Sequence, residues 1–323
     1  MTPIQIDLNV TNNCDFHCPH CGFDSGNLKM QEMDLSFVKK ILDDFKMLGG
    51  EKVDFTGGEP LLYAGLDELI GYAARLGLRT KIVTNAGQLN KEKLLALKAA
   101  GLNGVSISVD GASYETFNQI RPVSRETYER VIKNIRDCVG LGLFTKINTV
   151  IFQNNINDIE NIVKQAIELS VQEIRFCFFS PLGRGKECQH LVASPTDWLK
   201  ITRNVLPQYA KQIKIVTAIP IIESAQAAES CLAKDLSFLQ IFPNGDAYPC
   251  AIMASQAKPL INLRQTSLTE FWKNKNPAGG NYWQEQILPL FQTNEGCVDY
   301  CFKNLVKDGT YKFVCPSRKF IIN

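Results

Sequence analysis

The amino-acid sequence predicts an α/β fold in which helices cover a parallel sheet. Between residues 4 and 179, apolar runs typical of strands alternate with amphipathic stretches typical of helices. Six β-then-α units in succession indicate parallel strands, since each helix returns the chain to the edge from which it started. A loop with three cysteines directly follows the first strand. In parallel folds this edge carries the active site, so the loop is the first candidate for function.

The predicted strands are short apolar runs bounded by turns. They span Ile4–Val10, Val53–Phe55, Arg79–Val83, Gly104–Val109, Phe144–Phe152 and Glu173–Phe179. The predicted helices span Leu35–Leu48, Leu66–Leu76, Lys91–Ala100, Glu126–Leu141, Ile156–Leu169 and Trp198–Tyr209. Gly101 is the expected C-cap of the third helix, because glycine adopts the left-handed conformation that ends a helix. This pattern alone fits either an open barrel or a doubly wound sheet.

Composition and charge narrow the functional classes. The 323-residue chain is 45% hydrophobic and can bury a large core, with room for a second, smaller domain. Its 35 basic residues nearly balance 33 acidic ones, so no overall charge favours nucleic acid or an anionic membrane as a partner. The sequence has neither an apolar run long enough to span a membrane nor a secretion leader, and we expect a cytoplasmic protein.

The loop after the first strand carries thiols at C-x3-C-x2-C spacing. Cys14, Cys18 and Cys21 lie within eight residues, and no fourth cysteine is nearby. A four-iron cluster normally takes four cysteines, so three would leave one iron open to an exogenous ligand. A zinc knuckle completed by His17 or His20 is the alternative that the loop alone leaves open.

A glycine-rich turn follows the second strand. Gly57 and Gly58 let the backbone approach a ligand closely, and backbone carbonyls together with Glu59 can accept hydrogen bonds from a cationic amino group. The alternative is an ordinary strand-to-helix turn. The turn and the cysteine loop are predicted at the same edge of the sheet, which favours a shared site.

The pattern changes in the last third of the chain, where we predict a second domain. The boundary is placed near residue 215, which gives domains 1–215 and 216–323. An Asn-Gly turn at 243–246 predicts a hairpin, and Ser267–Lys273 a capped helix. The remaining cysteines of this part are Cys231, Cys250, Cys297, Cys301 and Cys315. In a chain without a leader, metal binding is a better explanation for them than disulfides.

Taken together, these motifs resemble the radical S-adenosylmethionine (radical SAM) superfamily. The cysteine loop and the Gly-Gly-Glu-Pro turn carry the resemblance in the first domain, and the later cysteines resemble its SPASM/twitch branch. The resemblance implies a partial (β/α)6 TIM-like barrel with a smaller C-terminal iron–sulfur domain. It also implies that Cys231, Cys250 and Cys297, with either Cys301 or Cys315, hold an auxiliary [4Fe-4S] cluster.

For the first domain, the resemblance implies the cofactors and the residues that hold them. Cys14, Cys18 and Cys21 would bind a [4Fe-4S] cluster whose fourth iron is chelated by S-adenosylmethionine, which is then cleaved reductively to a 5′-deoxyadenosyl radical that abstracts a substrate hydrogen. The expected cofactor-binding residues are His20 at the adenine, Gly57, Gly58 and Glu59 at the methionyl ammonium, Ser108 and Asn148 at the ribose or methionine, and Arg121 at the carboxylate.

The resemblance also suggests reaction classes. Post-translational modification of a ribosomal peptide or protein is the first hypothesis, with an external one-electron donor such as flavodoxin or ferredoxin. Dehydrogenation or rearrangement of a small molecule is the alternative, because a first strand at residue 4 leaves no room for an N-terminal peptide-recognition domain. A non-catalytic iron–sulfur or zinc protein is the second alternative. Cys177 and Cys188 lie near the end of the sixth strand and are candidate hydrogen-atom donors, whereas Cys138 is expected to be a core residue.

Overall fold

The computed structural model describes residues 2–27, 29–217, 221–222, 236–251, 254, 258–273, 312–313 and 320–322. Its strands are β1 Gln5–Thr11, β2 Lys52–Gly57, β3 Arg79–Thr84, β4 Gly104–Ser108, β5 Phe144–Ile151, β6 Glu173–Phe178, β7 Lys214–Thr217, β8 Ile221–Ile222, β9 Phe238–Ile241, β10 Asp246–Tyr248, β11 Ile261–Asn262, β12 Lys312–Phe313 and β13 Phe320–Ile322. Its α-helices are α1 Leu35–Met47, α2 Leu66–Arg75, α3 Lys91–Ala100, α4 Tyr114–Ile120, α5 Arg125–Gly140, α6 Ile159–Glu168, α7 Pro195–Lys200 and α8 Leu268–Lys273.

The predicted parallel sheet is confirmed. Within the described residues, one eleven-stranded sheet has the order β11-β10-β9-β1-β2-β3-β4-β5-β6-β7-β13. Strands β1 to β7 are parallel to their neighbours in chain order, and β9 adds in parallel on the other side of β1. The carboxyl ends of β1 to β6 therefore meet at one edge, where the predicted site lies.

The sheet curls around its inner face, as a partial barrel does. Inward side chains from six successive strands line one common cavity, namely Asp7, Asp54, Lys81, Ser106, Asn148 and Arg175. The barrel stays open, because β1 pairs outward with β9 and β7 pairs outward with β13. This arrangement agrees with the partial (β/α)6 barrel that the resemblance implied.

The outer face of the sheet is apolar and packs against the helices. Alternate residues such as Ile6, Phe55, Ile107 and Phe176 are completely buried in the main core. Burial of one such side chain is worth about 1.5–3 kcal/mol, so this alternation fixes which residues face inward. Polar residues are thereby left on the lumen side, where the chemistry occurs.

Two local differences from the predicted helices have physical reasons. The expected helix over 198–209 is an α-helix only at Pro195–Lys200, and it continues as a π-helical turn over 201–205 and a 3₁₀ turn over 206–209. Pro207 supplies no backbone N–H and cannot continue the α-helical hydrogen bonds. Helix α4 was not predicted, because its seven residues are too few for a clear helical period; Ser113 caps it by accepting from Thr116 N.

Beyond β7, the described strands β9, β10, β11 and β13 join the same sheet, whereas β8 and β12 pair antiparallel in a separate two-stranded sheet. The turn between β9 and β10 is the predicted hairpin, with Gly245 at φ +91°, and Ser267 caps α8 by accepting from Glu270 N. A division into domains 1–215 and 216–323 stays a prediction. Cys231, Cys297, Cys301 and Cys315 lie outside the described residues.

None of the described helices is long and apolar enough to cross a lipid bilayer.

Candidate active site

The cysteine loop, the Gly-Gly turn and the ends of six strands surround one cavity of about 460 Å³, called here the upper cavity. Its lining includes Cys14, Cys18 and Cys21, together with Gly57, Gly58, Ser108, Arg121 and Cys177. The sequence separates these residues by as much as 163 positions, and parallel strands bring them to one edge. The structure thus places most of the predicted site residues around a common space.

The Gly-Gly turn is bonded directly to the cysteine loop. Gly58 N donates to Thr11 O at 2.7 Å, and Glu59 N donates to Asn13 O at 2.7 Å. A Cβ on Gly58 would lie 2.0 Å from Asn13 O, and one on Gly57 would lie 2.2 Å from Thr11 O at a φ of +137°. Close approach to a ligand was the predicted reason for these glycines. The structure adds a second reason, because the tightest contacts that a Cβ would make there are with the chain's own backbone.

The carboxylate of Glu59 holds the turn instead of facing the cavity. It is completely buried and accepts from Thr84 Oγ1 at 2.6 Å, Asn85 N at 2.8 Å and Leu61 N at 3.1 Å. Burial raises the pKa of Glu59 to about 7, although these three donors favour the charged form. The Glu59 side chain is thus occupied by internal donors, and its contact with the methionyl ammonium stays a prediction. Gly57 and Gly58 do line the upper cavity, and their contact with the cofactor stays a prediction.

A second segment that sequence reasoning missed clamps the cysteine loop from the other side. Arg184, in the loop after β6, donates from Nε to Cys18 O at 3.0 Å and from Nη1 to Asp24 Oδ1 at 2.6 Å. The preceding Gly183, at φ +52°, leaves no room for a Cβ beside Gly22 O. The run Gly183-Arg184-Gly185 was the available signal, because two glycines around an arginine indicate close backbone packing.

His20 forms part of an aromatic wall of the upper cavity. Its ring lies 4.9 Å from the Phe152 ring and 6.4 Å from the Phe179 ring, both in edge-on geometry. Burial, with the nearby Arg121 guanidinium, lowers the pKa of His20 to about 4, so the ring is neutral near pH 7. A neutral, flat, half-buried ring is suited to pack against an adenine, and this contact stays a prediction.

Arg121 is held in place by an internal carboxylate. Its Nε pairs with Asp110 Oδ2 at 2.6 Å, and Asp110 Oδ1 also accepts from Val150 N at 2.7 Å. Arg121 Nη1 lies 3.7 Å from Cys18 Sγ. The guanidinium is thereby fixed beside the thiols with one edge toward the cavity, which fits the predicted contact with a carboxylate.

Two of the predicted site residues lie elsewhere. Asn148 donates from Nδ2 to Ser106 Oγ at 2.7 Å and lines a deeper cavity instead of the upper one. Cys188 is buried in a small apolar cluster with Ile120 and Phe152, and does not line the upper cavity. Neither residue lines the upper cavity, and their roles, as ribose contact and as hydrogen-atom donor, stay predictions.

The remaining predictions on cysteines differ in outcome. Cys177 lines the upper cavity, so its role as a donor stays a prediction. Cys138 is completely buried in α5, as expected of a core residue. Cys250, the one member of the predicted auxiliary set within the described residues, is buried and lines the deeper cavity.

The donor set fits an iron–sulfur cluster. Burial raises the pKa of Cys14 to about 12 and also raises that of Cys18, so these thiols give up their protons only in exchange for metal charge. Among the described residues, no three Cys, His, Asp or Glu side chains are arranged to hold a single ion. The cysteines that bind a four-iron cluster lie farther apart than the ligands of a single ion. Three cysteines around a shared cavity fit that spacing.

Fold and site together define an iron–sulfur enzyme with its centre at the carboxyl edge of a partial barrel. Residues 8–166 match the Radical SAM superfamily, and this match includes both the cysteine loop and the Gly-Gly turn. The chain belongs to this superfamily and is one of its enzymes. A non-catalytic metal protein is therefore no longer an alternative.

Several named relatives share most of the chain. The AdoMet-dependent heme synthase of Methanosarcina barkeri is 25% identical over 295 residues, covering 84% of this chain and 82% of the relative. The PqqA peptide cyclase of Xanthomonas axonopodis pv. citri is 26% identical over 278 residues, covering 84% and 74%. A probable GTP 3′,8-cyclase of Saccharolobus islandicus is 32% identical over 186 residues, but the match spans only 56% of this chain and 59% of the cyclase.

A solved structure agrees with the fold. SuiB of Streptococcus suis bound to S-adenosylmethionine superposes with a TM-score of 0.73 at 20% identity, covering 87% of this chain and 68% of SuiB. This likeness supports the partial barrel.

The superfamily uses a [4Fe-4S] cluster and S-adenosylmethionine, and when bound the cluster supplies the electron that cleaves S-adenosylmethionine to a 5′-deoxyadenosyl radical. The chain's own residues have three tasks. The thiols would hold the irons, Arg121 would pair with the methionyl carboxylate, and His20 would cover the adenine. The buried aromatic wall keeps water from this part of the cavity.

Proposed function

We propose that this enzyme modifies a ribosomally made peptide or protein by abstracting a hydrogen atom from it. The observation that carries the proposal is the match to PqqA peptide cyclase, which extends over 84% of the chain and thus well beyond the radical SAM domain. An external one-electron donor such as flavodoxin or ferredoxin would reduce the cluster.

The mouth of the barrel offers a surface that suits a peptide. A groove of about 320 Å³ runs between the cysteine loop and the β9–β10 hairpin. It is lined by Phe23 and Tyr248 and by the polar Asn12, Lys186 and Asn244. Aromatic faces beside polar groups are typical of surfaces that bind peptides, and the groove shares Gly57 and Gly58 with the upper cavity.

A small-molecule reaction is the second candidate, and the match to AdoMet-dependent heme synthase favours it. That match covers as large a share of this chain as the match to the peptide cyclase. Both candidates use the same cofactor site and differ only in what enters beside it.

The C-terminal part would hold an auxiliary [4Fe-4S] cluster, as in the SPASM/twitch branch. Cys250 lies at the deeper cavity, which is where a second cluster could exchange electrons with substrate. Cys231 and Cys297, with Cys301 or Cys315, would complete the set. This assignment rests on the cysteine pattern of the sequence.

Cys177 is proposed as a hydrogen-atom donor in reactions that return hydrogen to the substrate. A thiol gives one hydrogen atom to a carbon radical and is restored by one electron and one proton, which the external donor and solvent can supply. In deuterated buffer, a Cys177→Ser variant should lose deuterium incorporation into product while SAM cleavage continues.

Mass spectrometry tests the proposed substrate class. The reconstituted enzyme is incubated with S-adenosylmethionine, dithionite and synthetic peptides from short reading frames beside its gene, and in parallel with tetrapyrroles and nucleoside triphosphates. We expect one peptide to change mass in step with 5′-deoxyadenosine formation. Conversion of a small molecule, with every peptide unchanged, would replace this proposal by the second candidate.

A further inference from the structure

A deeper cavity of about 230 Å³, called here the lower cavity, lies inside the barrel beneath the cofactor site. It adjoins the upper cavity, since both are lined by Thr56, Val83 and Arg175. A group bound in the lower cavity therefore lies next to the predicted cofactor site. The cysteine loop and the Gly-Gly turn, apart from Thr56 and Phe23, take no part in its lining.

Arg175 differs from the other arginines near the centre. Arg121 is paired with Asp110 at 2.6 Å, and Arg184 with Asp24 at 2.6 Å. Arg175 forms no ion pair with any described residue, and its Nε is buried without a hydrogen-bond acceptor. The Arg175 residue is half-buried, and a buried N–H without an acceptor is costly, so this Nε favours a partner that the described residues do not supply.

Most of the other charges around the lower cavity have partners of their own. Lys81 is paired with Asp54 at 2.7 Å, and Glu173 is shared by Lys146 at 3.8 Å and Lys214 at 3.0 Å. The Asp7 carboxylate accepts from the neutral Gln5 at 2.9 Å and offsets part of the positive charge in the lumen. Lys81 and Arg175 repel each other across the lumen, and an incoming anion would relieve this repulsion.

Asn148 provides a second unsatisfied atom at the same place. It is the register partner of Arg175 on the neighbouring strand, and both side chains line the lower cavity. Asn148 Nδ2 donates to Ser106, whereas Asn148 Oδ1 is buried without a donor among the described residues. A guanidinium and an amide oxygen side by side can hold a group that both accepts and donates hydrogen bonds.

We propose that Arg175 anchors an anionic group of the substrate, a carboxylate or a phosphate, in the lower cavity. This assignment deepens the proposed function, on which it rests for the identity of the bound molecule as a substrate. Arg175 and Cys177 are two residues apart on β6 and both line the upper cavity, and two residues of a strand rise about 7 Å. A substrate whose anionic group binds Arg175 would therefore extend past Cys177 toward the cofactor. The anchor thus sets which substrate atom lies at the upper cavity.

Calorimetric titration of the reconstituted, SAM-saturated protein tests the anchor without requiring turnover. The probes are glutarate, inorganic phosphate and the neutral glutaramide. The variants are Arg175→Gln, which removes the guanidinium, and Asn148→Asp, which adds a carboxylate that would pair with the Arg175 guanidinium. Arg79→Gln is the control. Arg79 is exposed and pairs with Glu51 at the opposite edge of the sheet. Iron content and circular dichroism verify that each variant is folded.

We expect glutarate or phosphate to bind wild type and Arg79→Gln equally, and Arg175→Gln and Asn148→Asp at least about tenfold more weakly. The tighter of the two anions identifies the chemistry of the substrate group, and glutaramide should not bind. Absence of anion binding to wild type, or equal binding to folded Arg175→Gln or Asn148→Asp, would overturn the proposal. Anion binding at Arg175 in an enzyme that modifies no peptide would preserve the anchor and contradict only the proposed peptide substrate.

Discussion

The upper and lower cavities lie in one barrel but are built in opposite ways. Around the upper cavity the chain satisfies its own polar groups, as Glu59 takes three internal donors and Arg121 pairs with Asp110. In the lower cavity, Arg175 Nε and Asn148 Oδ1 are buried without partners among the described residues. The contrast indicates that the cysteine loop, the Gly-Gly turn and the residues bonded to them, called here the frame, are held in place before the cofactor binds. The lower cavity, in contrast, is completed only when a substrate binds.

The difference follows from what each region must do. A cluster and its nucleoside ligand have a fixed shape, and a frame locked by internal hydrogen bonds binds them with little reorganisation. A substrate must enter and leave, so its site keeps unsatisfied groups that bind only when it is present.

The largest effect is expected where the backbone of the Gly-Gly turn contacts the backbone of the cysteine loop. Gly58→Val would place side-chain atoms within 2.0 Å of where Asn13 O now lies, which forces the cysteine loop away from the turn. The variant should lose nearly all of its cluster iron, measured by iron and sulfide analysis. Gly140→Val is the control, since a Cβ there meets nothing within 4 Å. Full iron content in Gly58→Val would show that the frame tolerates displacement.

A smaller effect is expected from the clamp on the other side of the loop. Arg184→Ala removes the hydrogen bonds to Cys18 O and Ser25 O and the pair with Asp24, but it leaves the turn intact. Loss of a charged hydrogen bond costs about 1.5–3 kcal/mol, so a chelator should remove cluster iron about tenfold faster. Arg79→Ala, at an exposed pair, should behave as wild type. Equal rates of iron removal from Arg184→Ala and Arg79→Ala would show that Arg184 does not hold the cysteine loop in place.

The effect with the least bearing on the cluster concerns the stability of the metal-free protein and the buried carboxylate of Glu59. Because the folded-state pKa of Glu59 is raised to about 7, the folded protein retains a proton there that the unfolded chain releases near pH 4.5. The unfolding free energy of the metal-free protein should therefore fall by about 3 kcal/mol as the pH rises from about 4.5 to about 7. Urea unfolding of Glu59→Gln should show a shallower fall than wild type, with Glu51→Gln as the exposed control. An unchanged pH dependence would mean that Glu59 is ionised throughout.

The sequence predicted the frame's elements better than its contacts. Strands, helices and the Gly101 cap follow from local periodicity and glycine chemistry, and the cysteine loop follows from spacing within eight residues. The direction of the Glu59 carboxylate depends on Thr84 and Asn85 of the next strand end, which no local pattern specifies.

The sequence also did not predict which of the two cavities an inward side chain would line. Alternation predicts that Asn148 faces inward, but the curl and register of the sheet decide that it lies in the lower cavity beside Arg175. Arg184 reaches Cys18 across 166 positions, and Cys188 is turned into an apolar cluster by 3₁₀ geometry after β6. These placements depend on tertiary packing, which single-sequence patterns do not contain.

The central claim is that Cys14, Cys18 and Cys21 hold the cluster that cleaves S-adenosylmethionine. The most direct measurement is 5′-deoxyadenosine formed under dithionite by the Cys14/Cys18/Cys21→Ala triple variant, with Cys138→Ala as a control for loss of a buried thiol. The account predicts no 5′-deoxyadenosine from the triple variant and full formation from Cys138→Ala. Wild-type amounts from a folded triple variant would contradict it.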